Sequence, residues 1–385
     1  MTQQYPLRIL SVSFYGAPVA GAKQFSGALG RQKDYAEYLD QYVVVVPGLE
    51  ISEEQKTDHG DGLILYALPS TGYLSFFLSV MRRVKELHAE YKFDYIFVDN
   101  PHLAGILGAT VKRMLGIPLV VNSMADMPHN EWYKAERVMN HFKHFLICVA
   151  LAQTDFLRVS TQAEVKRMQE HGFPKNKLLH MPFYIDTEGF RRNLRAAGGA
   201  RRDNTVLFVG RLGEQKDLRV LLRAFAHAKA RVESARLVLV GGGPLEAQLT
   251  AYARELGIDT SVTFTGAIPY DEVARHFAEA SLFAISSLYE GTCMVLHEAG
   301  LAKLPIVSTD FAGAKDYVRD GVEGYLAPVR DHEALGERIA DVLSKTPAER
   351  ATMGAAACAR AEDYSREYAL GHWDALCKRL VEYKT

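Results

Sequence analysis

Residues 286–316 read SSLYEGTCMVLHEAGLAKLPIVSTDFAGAKD, and this stretch places two carboxylates, Glu290 and Glu298, eight positions apart. On a continuous helix eight residues rise about 12 Å, so the two side chains cannot share one proton or one metal ion. They can instead contact two different parts of one extended ligand. Gly291 and Thr292, which lie between them, are typical of a helix start, where free backbone N–H groups attract an anion.

A carboxylate, a helix N-terminus and a second carboxylate, in this order, suit a ligand made of a sugar, a diphosphate and a ribose. Two solvated glutamates on an ordinary amphipathic helix are the alternative interpretation of the same spacing. The segment continues through an apolar helix into a predicted strand at residues 305–308 and a loop at 310–313.

Length, charge and cysteine content exclude several classes of protein. A chain of 385 residues is long for one core and favours two domains. A formal net charge of -1 gives no general attraction to nucleic acid. The four cysteines (Cys148, Cys293, Cys358 and Cys377) form no C-x-x-C pair, which indicates a reducing compartment. We expect no signal peptide at MTQQYPLRILSVSFYG and no membrane span, and we therefore expect a cytoplasmic protein.

Short apolar runs alternate with helical patterns along the whole chain, which is typical of parallel sheets with crossover helices. The predicted strands are 7–12, 42–46, 63–67, 95–98, 118–121 and 156–159 in the first half, and 205–209, 236–240, 262–265, 282–285 and 305–308 in the second. Each half therefore resembles a Rossmann-type unit, and such sheets bind ligands at the carboxyl ends of their strands. Two of these units facing each other would leave a cleft between them.

Five blocks of sequence, taken in order, resemble the family 4 retaining glycosyltransferases. They are the E-x7-E segment around Glu290 and Glu298, VGRL at 209–212 with Lys216, LVLVGGGPL at 237–245, VTFTG at 262–266 followed by Ile268-Pro269, and MPFYIDTEGF at 181–190. One block alone would be weak, but five in the same order are specific. The resemblance is dense over residues 178–330 and thinner before them.

The resemblance implies an α/β protein of GT-B architecture, in which two Rossmann-like domains face each other across a cleft. The expected division is an N-terminal acceptor domain at 1–186, a linker at 187–204, a nucleotide-sugar donor domain at 205–364 and a helix at 365–385 that returns to the N-terminal domain. The polar, basic stretch RRNLRAAGGARRDN at 191–204 favours the linker. The alternative for the last helix is that it caps the second domain.

The resemblance also implies roles for residues of the second half. Arg211 and Lys216 would hold the donor diphosphate in place of a metal ion, although two exposed basic side chains are the plain alternative. Glu290 would accept hydrogen bonds from the sugar and Glu298 from the ribose. Further donor contacts are expected from Gly291, Thr292 and the backbone N–H groups of Cys293, Met294 and Val295. Gly241, in a glycine triplet, is expected near the nucleotide, and a tight strand-to-helix turn explains it equally well.

The N-terminal half matches the family less closely at its functional positions. Gly21-Ala22 lies where the family has paired glycines near the donor phosphate, and Gly16 is the runner-up. Many family members carry a His where this chain has Met124, whose thioether cannot usefully hydrogen-bond a hydroxyl. Asp126 and His129 are the candidate catalytic replacements, and His102 is a third; each could equally be an ordinary polar loop residue.

The sequence gives no sign of a metal or an organic cofactor. It contains no D-x-D triplet of the kind that holds a cation on a diphosphate, and no His/Cys cluster with zinc spacing. We therefore predict no metal and no cofactor, with the nucleotide sugar as a substrate.

The segment GYLSFFLSVMRRVKELHAEY at 72–91 has two interpretations. Its aromatic residues beside basic ones could lie in an anionic membrane interface, or its apolar side could pack on its own sheet, which we favour. Peripheral contact with the inner membrane face stays open because many members of the family use lipid-linked acceptors.

These observations predict a retaining glycosyltransferase that moves a sugar from a nucleotide-diphosphate sugar to a hydroxyl of a glycan, glycolipid or small molecule. A phosphorylase or epimerase of the same fold and a non-catalytic nucleotide-sugar-binding protein are the alternatives. No protein nucleophile is evident, which agrees with the front-side displacement used by the family.

Overall fold

A computed structural model of the protein describes residues 3–14, 26–49 and 51–384. Two α/β domains, each built on one mainly parallel sheet, divide this part of the chain between them. The GT-B architecture expected from the sequence is confirmed.

The first domain contains an eight-stranded sheet in the order β3-β4-β2-β1-β5-β6-β7-β8. Its strands are β1 (Tyr5–Val12), β2 (Leu39–Gly48), β3 (Gln55–Asp58), β4 (Leu63–Pro69), β5 (Tyr95–Val98), β6 (Leu119–Ser123), β7 (Phe156–Val159) and β8 (Leu178–His180). All neighbours are parallel except β3, which runs antiparallel to β4. Its helices are α1 (Ser26–Ala36), α2 (Tyr73–Tyr91), α3 (Leu103–Leu115), α4 (Glu131–Glu136), α5 (Val138–Leu151) and α6 (Gln162–Glu170).

The second domain contains a six-stranded parallel sheet in the order β11-β10-β9-β12-β13-β14. Its strands are β9 (Thr205–Val209), β10 (Arg236–Val240), β11 (Val262–Phe264), β12 (Leu282–Ile285), β13 (Ile306–Thr309) and β14 (Gly324–Ala327). The remaining helices are α7 (Thr187–Ala197), α8 (Leu218–Arg231), α9 (Glu246–Glu255), α10 (Tyr270–Glu279), α11 (Met294–Leu301), α12 (Ala312–Tyr317), α13 (His332–Ser344), α14 (Pro347–Glu362) and α15 (Arg366–Lys384).

Part of the stretch predicted as a linker is helical. Asp186 caps α7 by accepting a 2.9 Å hydrogen bond from the N–H of Gly189. Phe190 is buried and meets Phe277 edge-on with ring centroids 5.5 Å apart, and Leu194 packs on the same core. Phe190 and Leu194 are four residues apart and form an apolar face that packs on α10. The arginines around them make the stretch polar and basic overall, and this composition favoured a linker in the sequence.

The last helix returns to the first domain, as the family resemblance implies. Trp373 stacks on Tyr35 with ring centroids 4.3 Å apart, and its indole N–H donates to the Tyr35 carbonyl. Tyr95 donates a 2.6 Å hydrogen bond to the carbonyl of Leu380. The apolar face of α15 thus completes the core of the first domain, and the alternative of a cap on the second domain is wrong.

None of the described helices combines the length and the apolar character that crossing a bilayer requires.

Candidate active site between the two sheets

Backbone packing shapes the loop that follows β9. The loop begins at Gly210, whose N–H donates to the carbonyl of Val240, and Leu212 donates to the carbonyl of Gly242. A Cβ at Gly241 would overlap the carbonyl of Gly210, and one at Gly243 would overlap that of Leu212. Glycine is therefore needed at 241 and 243 for close backbone contact, which agrees with a tight strand-to-helix turn. The expected contact between Gly241 and the nucleotide-sugar donor stays a prediction.

This loop carries Lys216, which forms an ion pair with Glu290. Both side chains are only 15% exposed, and the Ser287 hydroxyl donates a 2.9 Å hydrogen bond to the same Glu290 oxygen. Burial alone would lower the pKa of Lys216, but the neighbouring Glu290 carboxylate outweighs it and raises the pKa above its ordinary value. Lys216 is thus held fully charged at the carboxyl edge of the second sheet.

Arg211 lies in the same loop but in a different environment. Its side chain is exposed, and its guanidinium has no ion pair or hydrogen bond with any residue that the structure describes. A free, permanently charged fork beside a buried ammonium is an arrangement that can receive a diphosphate.

The two carboxylates of the E-x7-E segment do not share one helix. Glu290 lies in the loop after β12, and α11 begins only at Met294, so the expectation of eight helical residues between them is wrong. Residues 290–293 form a bent loop, in which the backbone of Gly291 packs against the first domain. Glu298 lies in the second turn of α11, so the helix N-terminus falls between the two carboxylates.

The backbone donors at the start of α11 differ in their availability. The N–H of Thr292 donates a 3.2 Å hydrogen bond to the hydroxyl of Ser160 in the first domain. The N–H groups of Cys293, Met294 and Val295 have no acceptor among residues 3–14, 26–49 and 51–384. These three N–H groups, rather than that of Thr292, are therefore available to an anion.

Glu298 is buried and touches Tyr270, the first residue of α10. The Tyr270 hydroxyl donates a 2.7 Å hydrogen bond to Glu298 Oε1. Burial raises the pKa of Glu298 to about 7, and the hydrogen bond from Tyr270 only partly opposes this. Burial disfavours the charged form of Glu298, so further hydrogen-bond donors, such as a pair of vicinal hydroxyls, would stabilise that charged form.

The two domains meet where Gly291 lies against the end of β6. A Cβ on Gly291 would overlap the carbonyl oxygen of Met124 and the hydroxyl of Ser160, and a Cβ on Gly313 would overlap the carbonyl of Gly291. Met124, where the family resemblance leads one to expect a His, therefore contacts the second domain through its backbone carbonyl. Ser160 follows β7 directly, so the rule that ligands and contacts gather at carboxyl ends of strands could have identified it.

The acceptor-side candidates occupy separate places in the first domain. Asp126 is buried in a left-handed conformation (φ 54°), pairs with Arg167 and accepts a 2.8 Å hydrogen bond from Asn130. Burial raises the pKa of Asp126 despite the Arg167 charge. Glu164 lies close by, fully buried, and accepts a hydrogen bond from Ser123; burial and the Asp126 charge raise its pKa as well. Sequence reasoning missed Glu164 because only the fold brings it to the end of β6.

His129 and His102 do not join Asp126. His129 lies in a left-handed turn (φ 52°) and stacks on His171 with ring centroids 4.1 Å apart. Burial, with the nearby His171 and His144, lowers the pKa of His129 to about 4. His102 precedes α3, where burial lowers its pKa to about 4. The catalytic roles of Asp126 and His129 stay predictions, and Gly16, Gly21 and Ala22 lie outside the described residues.

The fold also brings together a group that the sequence does not reveal. His129, His144 and Cys148 each offer a ligand atom within 4.8 Å of the others. This cluster has no recognisable zinc spacing in the sequence, because His129 comes from a turn and the other two residues come from α5.

Both halves of the chain match known families. Residues 190–360 match the family described as glycosyl transferases group 1, and residues 35–183 match a glycosyl transferase 4-like domain. The chain belongs to the family 4 type of glycosyltransferases. Membership explains why the E-x7-E segment, the G-R-L block and the α15 crossover occur together.

This family 4 chain resembles proteins from several bacteria. The GDP-mannose-dependent alpha-(1-6)-phosphatidylinositol monomannoside mannosyltransferase of Mycolicibacterium smegmatis is 29% identical over 245 residues, which are 58% of this chain and 62% of that protein. The match thus spans less than two thirds of that relative's length. Sucrose-phosphate synthase from Thermosynechococcus elongatus superposes with a TM-score of 0.78 at 19% identity, over 98% of this chain and 100% of that one. Anabaena HepE, solved in complex with UDP-glucose, superposes with a TM-score of 0.72 at 20% identity, over 98% of this chain and 100% of that one.

Proposed function

We propose that this protein is a retaining glycosyltransferase that transfers a hexose from a nucleotide-diphosphate sugar to a hydroxyl acceptor. The observation that carries the proposal is the convergence of complementary groups at the carboxyl edge of the second sheet. Two cations, two carboxylates and three backbone N–H groups that have no acceptor in the described part of the chain meet there, opposite the first domain. Each part of a nucleotide sugar has a partner of the right chemistry in this set.

The donor would be held by charge and hydrogen bonds without a metal on the diphosphate. Arg211 and Lys216 would neutralise the diphosphate, together with the N–H groups of Cys293–Val295 at the positive end of α11. Glu298 would accept hydrogen bonds from the ribose hydroxyls. Glu290, held by Lys216, would accept them from the sugar.

The resemblance to the retaining enzymes supports front-side displacement. In that reaction the sugar–phosphate bond breaks, the acceptor oxygen bonds to the anomeric carbon on the same face, and the leaving phosphate takes the acceptor proton. Negative charge grows on the diphosphate in the transition state, where Arg211 and Lys216 stabilise it. Cations placed in advance at such a position contribute several kcal/mol.

The test has two stages. Thermal shift with a panel of nucleotides and nucleotide sugars identifies the donor, because a ligand that binds the folded state raises the melting temperature. Anomeric analysis of the product by NMR then gives the stereochemistry. We expect the donor anomer to be kept. An inverted product overturns the retaining mechanism, and donor binding without transfer to any acceptor would favour a non-catalytic binder.

An apolar rim on the first domain supports a lipid-linked acceptor or a membrane surface as the acceptor's environment. The rim consists of exposed apolar side chains in the first turns of α2 and α3 and the first three turns of α5: Tyr73, Leu74, Leu103, Val138, Met139, Phe142 and Phe145. Crossover helices run back from the carboxyl ends of the strands, so the first turns of α2 and α3 lie on the cleft side of the domain. Val138 is 91% exposed, Phe142 58% and Phe145 61%. By contrast, Phe76 in α2 is buried, so that helix mainly packs on its own sheet, as we favoured.

We propose an anionic lipid surface as the occupant of the apolar rim. Arg137, which directly precedes α5, and Lys143 on α5 lie beside the rim and would complement anionic headgroups. The relative from Mycolicibacterium smegmatis, by its name, acts on a phosphatidylinositol glycolipid, which agrees with this choice. Apolar side chains flanked by basic ones are the pattern that binds membrane interfaces.

Vesicle flotation tests this docking surface. Wild-type protein should float with vesicles containing phosphatidylglycerol and much less with pure phosphatidylcholine, and high salt should weaken binding. The double variant Phe142→Ser/Phe145→Ser should lose at least about tenfold in partitioning. Val322→Ser, which removes an exposed apolar residue of the second domain, is the matched control. Unchanged flotation of the double variant, or a dimer that the same variant converts to monomer, would overturn lipid docking.

A further inference from the structure

We propose that His129, His144 and Cys148 form a zinc-type metal site in the first domain, separate from the donor site. The three residues come from two elements, the turn after β6 and the helix α5. Their candidate ligand atoms lie within 4.8 Å of one another, and each side chain is half-buried. This site goes beyond the proposed transfer reaction, which needs no metal.

The geometry on α5 is already close to that of a metal pair. His144 and Cys148 are four residues apart and so lie on the same face of the helix. Cys148 Sγ is 3.8 Å from His144 Nδ1. With a Zn–S bond of about 2.3 Å and a Zn–N bond of about 2.1 Å, the S–N edge of a tetrahedron is about 3.6 Å. The helix therefore presents two ligands at nearly the required separation.

His129 supplies the third donor from the other element. Its ring meets that of His144 edge-on, with centroids 5.1 Å apart and planes at 80°. Hydrogen bonds hold the His144 ring only weakly, because Nδ1 faces Cys148 Sγ at 3.8 Å and Nε2 is buried without a partner among the described residues. Two rings and a thiol that are joined, among the described residues, by one long S···N contact form an arrangement that a cation would stabilise.

The donor set and its surroundings favour zinc. A thiolate with two imidazoles suits Zn²⁺ or its spectroscopic substitute Co²⁺ rather than Mg²⁺ or Ca²⁺, which prefer oxygen ligands. Partial burial leaves the fourth position to solvent or to His171, which is stacked on His129. The His171 Nδ1 lies 2.9 Å from the Arg167 carbonyl, so it carries the proton there and leaves Nε2 as an acceptor.

A bound ion would fasten the turn that contains His129 to α5. That turn directly follows Met124 and Asp126 at the boundary between the domains. Binding would release the thiol proton of Cys148 and stabilise the folded state by mass action. The consequence is a melting temperature that depends on zinc, with the donor site unchanged.

Cobalt and zinc titrations test the site on the full-length protein after dialysis against a chelator. We expect one equivalent of Co²⁺ to give a thiolate-to-cobalt charge-transfer band, and competition with a chromophoric chelator to give the zinc affinity. Cys148→Ser should abolish the band and weaken zinc binding at least about a hundredfold. Cys358→Ser, another partly exposed cysteine on α14, is the matched control and should behave as wild type.

A second measurement needs no variant and covers the case in which Cys148→Ser does not fold. Zinc should protect Cys148 from alkylation, measured by peptide mass spectrometry, while Cys358 in the same molecules reacts at an unchanged rate. Equal zinc binding by wild type and Cys148→Ser would overturn the proposal. So would the absence of a cobalt–thiolate band, or alkylation of Cys148 that zinc does not slow.

Discussion

Lys216 and Glu290 form an ion pair at the carboxyl edge of the second sheet, although 74 positions separate them in the chain. The pair joins the loop after β9 to the loop after β12, and β9 and β12 are neighbours in the sheet. In the proposed donor site the pair would place a cation for a phosphate next to an acceptor for sugar hydroxyls. A donor sugar would therefore meet both charges at its anomeric end.

Glu290→Gln should lower turnover by roughly 10² or more, because the amide keeps the shape but loses the charge that strengthens hydrogen bonds to the sugar. Affinity for the free nucleotide diphosphate should stay near that of wild type. Steady-state kinetics and nucleotide titration measure the two quantities. Glu214→Gln, an exposed residue in the same region, is the control. Wild-type turnover in Glu290→Gln would remove this residue from the site.

Glu298→Gln should weaken binding of the free nucleotide diphosphate, because the proposed partner of Glu298 is the ribose. Isothermal titration of wild type and variant measures the change, for which we expect about tenfold or more. Turnover at saturating donor should change less than the affinity. Equal nucleotide affinity in the two proteins would count against the ribose contact.

The same variant should change how stability depends on pH. The pKa of Glu298 is about 7 in the folded protein against an ordinary value of 4.5. Between these values the folded state holds a proton that the unfolded chain releases, so stability falls as pH rises, by roughly 3 kcal/mol in total. Gln carries no such penalty. Urea unfolding should therefore show Glu298→Gln gaining on wild type from pH 5 to pH 8, and a constant difference would contradict the raised pKa.

The sequence predicts the strands well because most of them are apolar runs of ordinary length. It misses three for physical reasons. Strand β3, QKTD, is an exposed polar edge that pairs only with β4; β8 is three residues long; and β14 begins with a glycine. Helix α7 was predicted as part of a linker because its arginines make the stretch polar and basic. Local pattern therefore gives the two sheets but not these three edge strands.

The candidate site divides in the same way. Candidate residues of the second half could be named from the sequence because they stand in recognisable blocks next to strands, and their roles stay predictions. Tyr270, Ser160 and Glu164 were missed because each acts through a contact with a distant residue. The His129–His144–Cys148 group was missed for the same reason, since ligands from a turn and a helix have no fixed spacing in sequence.

Sugar transfer should survive strong chelation, because Arg211 and Lys216 supply the positive charge on the diphosphate. Arg211→Ala should lose more activity than Arg211→Lys, since Lys keeps the charge without the bidentate geometry. Assays in excess chelator, with magnesium or manganese added back, measure this. Loss of activity that magnesium or manganese restores would contradict the metal-free donor site. Loss that only zinc restores would instead point to the His129–His144–Cys148 group.

Gly291→Ala should separate donor binding from transfer. The added Cβ would overlap the Met124 carbonyl and the Ser160 hydroxyl, both in the first domain, so the domains must move apart to admit it. Because Lys216, Glu298 and the N–H groups of α11 belong to the second domain, nucleotide affinity should change little. Turnover should fall at least about tenfold, since both halves must reach one sugar carbon. Gly371→Ala on α15, where a Cβ meets nothing within 4 Å, is the control and should match wild type. Small-angle scattering should show a larger radius of gyration for Gly291→Ala but not for Gly371→Ala. Wild-type turnover in Gly291→Ala would mean that close contact between the domains at Gly291 is not needed for transfer.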